Sequence, residues 1–303
     1  MVRFDRSFLG KWGSIVKKFL FGALSLLSLA SIATSVSGAD LAARPVYKAP
    51  PPAIAPVFNW TGFYLGGELG EKWGQGNWTT TSTSDFPGTI VDASFRRNYD
   101  PSGFRAGGYA GYNWQVTDWV VGLEGSGAWT NSTASAAGIP GCSILCFPFA
   151  PGPGVDVASV KMGWDASARA RLGYLVTPSV LFYGTGGVAW QEVQASGFCQ
   201  HSAGDPVCSV AAGNPFDTET NSKVLTGWTV GGGVEARIYG NWLLRGEYRY
   251  SNFATFNGVL PFNSSGAPLG TDFIRYNLAV NTHIATVGLA YKFDWAAPVV
   301  ARY

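Results

Sequence analysis

From residue 60 onward the chain is organised by alternation of apolar and polar positions. In residues 242–251, WLLRGEYRYS, Trp242, Leu244, Tyr248 and Tyr250 share one parity, and Arg245, Glu247 and Arg249 share the other. A strand sends alternate side chains to opposite faces, so this stretch has one aromatic-aliphatic face and one charged face. The same pattern recurs in residues 61–69, 104–115, 119–130, 160–174, 180–191, 228–238 and 282–293. A helical period of 3.6 would mix charges and aromatics on one face, so the pattern predicts eight strands.

The links between these segments alternate in length. Segments two and three meet around Val116–Asp118, four and five around Val176–Pro178, six and seven around Tyr239–Asn241. The other links span about 77–101, 131–158, 196–221 and 252–275. Short and long connections in strict alternation are the pattern of an up-and-down membrane barrel. Aromatic residues bracket the apolar faces: Phe104 and Trp114, Trp119 and Trp129, Trp164 and Tyr174 each lie ten residues apart. Ten steps cover about 33 Å of strand, or about 25 Å along the membrane normal at a tilt of about 40°. The expected fold is therefore all-β: an eight-stranded antiparallel transmembrane barrel with short periplasmic turns and four long extracellular loops. The alternative is a soluble, lipocalin-like barrel, whose tryptophans would fall mid-strand as readily as at strand ends.

In such a barrel the charged parity faces the lumen. It comprises Glu68, Arg105, Glu124, Lys161, Asp165, Arg169, Arg171, Glu235, Arg237, Arg245, Glu247, Arg249 and Lys292. Eight strands leave an interior that side chains can fill, and buried charges must be paired. Two outcomes follow. Either an ion-pair network closes the lumen, or a narrow pore with a mild anion preference remains. No nucleophile–base set accompanies the carboxylates, so no enzymatic activity is expected.

Composition supports this picture. Charged residues make up 13%, aromatics 15%, and there are 40 glycines, the reverse of a disordered chain. Residues 1–39 hold five of the 21 basic residues and one acid, which leaves 16 basic and 18 acidic residues. No basic patch for nucleic acid remains. Those 39 residues have a basic start, an apolar run at Phe19–Ala33 and small residues before Asp40. They predict a signal peptide cleaved between Ala39 and Asp40. A Pro-rich periplasmic lead-in is expected over 40–57, the barrel over 58–293 and a tail over 294–303. In an exported chain the close pairs Cys142–Cys146 and Cys199–Cys208 are expected as disulfides, the local one of three possible connectivities. Irregular cysteine spacing and the distance between His201 and His283 speak against a metal site.

FNWTGFYLGGELGEKWG (58–74), ARARLGYL (168–175), LFYGTGGVAW (181–190), GWTVGGGVE (227–235), LLRGEYRY (243–250) and ATVGLAYKF (285–293) resemble the small porin-like outer-membrane immunogenic proteins of Gram-negative bacteria. The resemblance covers residues 58–303. It implies a cell outer-membrane barrel with antigenic loops, embedded in lipid and lipopolysaccharide and inserted by the barrel-assembly machinery. That machinery reads a final aromatic residue, here either Phe293 or Tyr303. Members of the family are described as structural envelope components, as porins and as haem binders. A structural and surface role in the envelope is the leading expectation, with no cofactor. A small-solute pore is the first alternative, and loop-based haem binding, with His201 as the candidate ligand, or adhesion is the second.

Overall fold

The computed structural model describes residues 58–83, 96–140, 157–200, 216–262 and 272–294. They form β1 (Gly62–Thr83), β2 (Arg96–Tyr99), β3 (Ser102–Val116), β4 (Trp119–Thr130), β5 (Ser132–Ala137), β6 (Val157–Thr177), β7 (Val180–Gln200), β8 (Phe216–Tyr239), β9 (Trp242–Phe253), β10 (Phe256–Phe262) and β11 (Asp272–Lys292). Eight of these, β1, β3, β4, β6, β7, β8, β9 and β11, pair antiparallel in a ring that β11 closes against β1. The short strands β2, β5 and β10 pair with β1, β6 and β11 at the long-link end. Closure leaves the ring without an edge, the only way a sheet can satisfy its backbone in lipid.

Paired residues can be followed once around the ring from Val116 through Trp119, Tyr174, Phe182, Val234, Gly246, Val287 and Leu69. The path returns to β3 at Ala106, ten residues up the strand. That stagger requires strands tilted by about 40°. The tight turns need left-handed backbone at Thr117 (φ 55°) and Gly240 (φ 53°). Glycine meets this freely, whereas threonine does so at a cost. The Thr117 hydroxyl donates to the Val116 carbonyl at 2.6 Å, and its own carbonyl accepts from Gln115 Nε2.

Outside, the apolar parity forms a continuous exposed belt that includes Leu65, Leu69, Val121, Leu123, Leu172, Val230 and Val287. A soluble surface does not carry such a belt; lipid does cover one. Aromatics ring both ends. Trp114, Trp119, Tyr174, Phe182, Trp242 and Tyr291 lie toward the short turns, and Phe104, Trp129, Trp164, Trp190 and Trp228 toward the long links.

Beyond the upper ring the polarity of the two faces exchanges. On β11, Ile274, Tyr276, Leu278 and Val280 point inward and are buried, while Arg275, Asn277 and Ala279 are exposed. On β7, Val193 and Ala195 are inside, and Glu192, Gln194 and Ser196 outside. The same sheet is inside out within lipid and right side out above it. The links expected at 77–101, 131–158, 196–221 and 252–275 are therefore partly strand. β1 continues to Thr83, β7 to Gln200, β8 begins at Phe216, and β2, β5 and β10 lie wholly inside those ranges.

Candidate functional site

The lumen has three layers. At the short-turn mouth Trp60 is fully buried with Tyr64, Val120, Leu175, Leu181, Leu243 and Ala290. Its backbone N–H donates to Gln115 Oε1 at 2.8 Å and its Nε1–H to the Pro178 carbonyl at 3.2 Å. These bonds hold the residues just before β1 across the opening. At the long-link end Trp78, Tyr99, Met162, Val193, Leu225, Phe256, Leu260, Ile274, Tyr276 and Leu278 form an apolar core. Within it Trp78 stacks on Tyr276 with centroids 4.1 Å apart.

Between these layers lies a belt of buried charge. Arg171 donates to Glu235 at 2.6 Å and to the Tyr64 hydroxyl at 3.0 Å, and Tyr64 donates to Glu124 at 2.8 Å. Arg245 bridges Glu124 (2.7 Å) and Glu68 (2.9 Å). Arg169 bridges Glu124 and Glu247, which also accepts from the Tyr183 hydroxyl at 2.9 Å. Arg105 donates to Glu68 at 2.5 Å and grips both oxygens of Asp165. Lys72 ends the chain between Asp165 (3.2 Å) and Gln191. One unbroken path of charge-assisted bonds thus crosses the lumen from Glu235 to Gln191.

Strand parity and interior glycines make this packing possible. The Arg245 guanidinium lies 3.4 Å from the Tyr109 ring centroid, and that ring occupies the space a Cβ at Gly66 would need. Each guanidinium has a carboxylate or hydroxyl partner within the lumen. Such pairing is what low-dielectric burial demands.

Ten of the thirteen residues expected in the lumen meet in this belt; three do not. Lys161 is exposed on the outer face. A bulge between Met162 and Asp165 shifts the β6–β7 register there and reverses the parity above it. Arg237 is half-buried at the short-turn mouth, where its Nε–H donates to the Gly240 carbonyl at 2.8 Å and its guanidinium covers Phe58. Lys292 is buried at the same mouth and paired with Asp294. Sequence reasoning missed Lys72, which is fully buried. It lies four residues beyond Glu68 on the same parity, and ending the first segment at Leu69 hid it.

Phe293 follows β11 with its ring against Phe63 and Tyr291. The cleavage site Ala39–Asp40, His201, Tyr303, and the cysteines Cys142, Cys146 and Cys208 lie outside the described residues. Cys199 pairs with Asp217 in the β7–β8 ladder, one residue before β7 ends at Gln200.

Sequence comparisons with known proteins agree with this architecture. The sequence profile of the outer membrane protein beta-barrel domain matches residues 41–293. The chain is 32% identical to the 31 kDa outer-membrane immunogenic protein of Brucella melitensis over 273 residues, covering 88% of this chain and 98% of the relative. It is 32% identical to the 22 kDa outer membrane protein of Rhizobium leguminosarum over 200 residues, 66% of this chain and 67% of the relative. Among solved structures, Ail of Yersinia pestis aligns at 17% identity with a TM-score of 0.31, covering 75% of this chain and 99% of Ail. With its closed eight-stranded ring and its match across the barrel, this chain belongs to the outer membrane protein beta-barrel domain family and is a protein of the bacterial outer membrane.

Proposed function

We propose that the protein is a closed barrel with a structural and surface role in the envelope, neither an enzyme nor a diffusion pore. The observation that carries this reading is the cross-lumen path from Glu235 through Arg171, Glu124, Arg245, Glu68 and Arg105 to Asp165. Opening a passage would separate buried ion pairs, at about 3–5 kcal/mol for each charge left unpaired. The apolar layers above and below the belt close the same axis twice more.

The sheet above the upper aromatic ring then acts as a stalk that carries the long connections away from the lipid. Relatives named as immunogenic fit a role in which those connections are the antigenic surface. The exposed belt suits outer-membrane lipid and lipopolysaccharide, and Phe293 suits recognition by the barrel-assembly machinery. Liposomes containing the purified protein test the closed reading. They should swell in isotonic arabinose no faster than empty liposomes. Swelling that scales with protein content and falls with sugar size would establish a pore instead.

A further inference from the structure

The belt holds more positive than negative charge. Six cations (Lys72, Arg105, Arg169, Arg171, Arg245 and Arg249) face five carboxylates (Glu68, Glu124, Asp165, Glu235 and Glu247), and all are buried. The surplus can be located. Arg249 is 3% exposed, yet none of its bonds is shorter than 3.1 Å, whereas each other guanidinium of the belt makes one of 2.8 Å or less. Its Nη1–H donates to Ser167 Oγ at 3.1 Å and Ser126 Oγ at 3.2 Å, and its Nη2–H to Asp165 Oδ1 at 3.4 Å. Asp165 is already held by Arg105 and Lys72. The Arg249 Nε–H has no partner, a feature it shares with Arg169, Arg171 and Arg245, so its weak bonds rather than its free N–H set it apart.

Ser126 and Ser167 bond each other at 2.8 Å and lie against Arg249. A surplus guanidinium held only by long bonds, beside two serine hydroxyls, is the chemistry of a small-anion site. Glu247 is engaged by Arg169 and Tyr183, which leaves the Arg249 side as the electropositive one.

We propose that the lumen binds one small monovalent anion of chloride size, held by Arg249 with the hydroxyls of Ser126 and Ser167. The anion balances the belt and stabilises the closed barrel; it is a structural ion and does not pass through. Because binding occurs only in the folded state, stability should rise with anion concentration.

The test uses the full chain folded in detergent, with thermal midpoints read from the shift between folded and unfolded bands on gels. At constant ionic strength, replacing sodium gluconate with sodium chloride or bromide should raise the midpoint by a few degrees, with saturation. Gluconate, far larger than a halide, serves as the non-binding reference. Arg249→Gln should remove the halide response. If Arg249→Gln does not fold, the Ser126→Ala, Ser167→Ala double variant should need several-fold more chloride for the half-maximal shift. Equal midpoints in chloride and gluconate overturn the proposal. So does a halide response that survives in Arg249→Gln or is unchanged in the double variant. Conductance plays no part in the readout, so the closed-barrel reading stands or falls separately.

Discussion

Arg245 on β9 donates to Glu68 on β1 at 2.9 Å, although the two strands are not neighbours in the ring and β11 stands between them. With its other Nη, Arg245 holds Glu124 on β4, across the lumen. This one side chain ties together three strands that no backbone hydrogen bond joins directly. The charged belt thus joins, across the lumen, strands that the backbone ladder leaves apart.

Removing the charge at the hub should cost more than removing an exposed carboxylate. Glu124 accepts from Tyr64, Arg169 and Arg245. Glu124→Gln leaves Arg169 and Arg245 undercompensated in a buried site and should destabilise the barrel by about 3–5 kcal/mol. Glu71 is exposed on the outer face, and Glu71→Gln should leave the urea midpoint nearly unchanged. Equal midpoints for the two variants would count against a buried ionic hub.

Depth should govern tolerance on the outer face. Val287 lies in the middle of the apolar belt, 58% exposed; Val176 is equally exposed (59%) but lies beside the Pro178 turn. An arginine at position 287 should cost about 2–4 kcal/mol, and one at position 176 about 0–1 kcal/mol. Folding into vesicles of defined thickness, followed by urea titration, measures both. Equal costs would contradict the placement of the lipid band.

Above the upper aromatic ring the rule should invert. Asn277 is exposed and Leu278 is fully buried against the Trp78–Tyr276 core. Asn277→Lys should be silent. Leu278→Lys should bury an unpaired charge, open the stalk and make it sensitive to trypsin while the membrane part stays folded. Resistance of both variants to trypsin would argue against an apolar core in the stalk.

The mouth stopper is a packing element. Trp60→Ala empties a fully buried indole site among Tyr64, Leu175, Leu181 and Leu243 and should cost about 3–5 kcal/mol. The belt above it remains intact, so the variant should still be closed to sugars in the liposome assay. Swelling in Trp60→Ala alone would move the seal from the belt to the mouth.

Much of this was legible in the sequence. Alternation identified the eight ring strands, and the short turns at Thr117, Pro178 and Gly240 stand where link length predicted. Parity placed Glu68, Arg105, Glu124, Asp165, Arg169, Arg171, Glu235, Arg245, Glu247 and Arg249 in one interior. The stalk was hidden for a physical reason. Alternation continues through Trp78, Tyr276 and Leu278, but the solvent outside changes from lipid to water and the polar face changes sides. A reader following charge inward loses the strand at that point. Lys161 was misplaced because a bulge breaks parity without leaving a Gly–Pro or Asn–Gly signal, only Gly163 beside Trp164. The pairing partners could not be read at all. Arg245 and Glu68 are 177 residues apart, and their contact depends on the stagger of the closed ring.

The central claim is that the charged lumen is shut. Single-channel recording of the purified protein in planar bilayers tests it most directly. The closed belt predicts bilayers that stay electrically silent at moderate voltage, with current steps appearing only when the cross-lumen ties are removed, as in a combined Arg245→Ala, Glu68→Ala, Arg105→Ala variant. Reproducible, uniform steps from the unmodified protein, weakened or reversed in ion preference by Arg245→Glu, would contradict it.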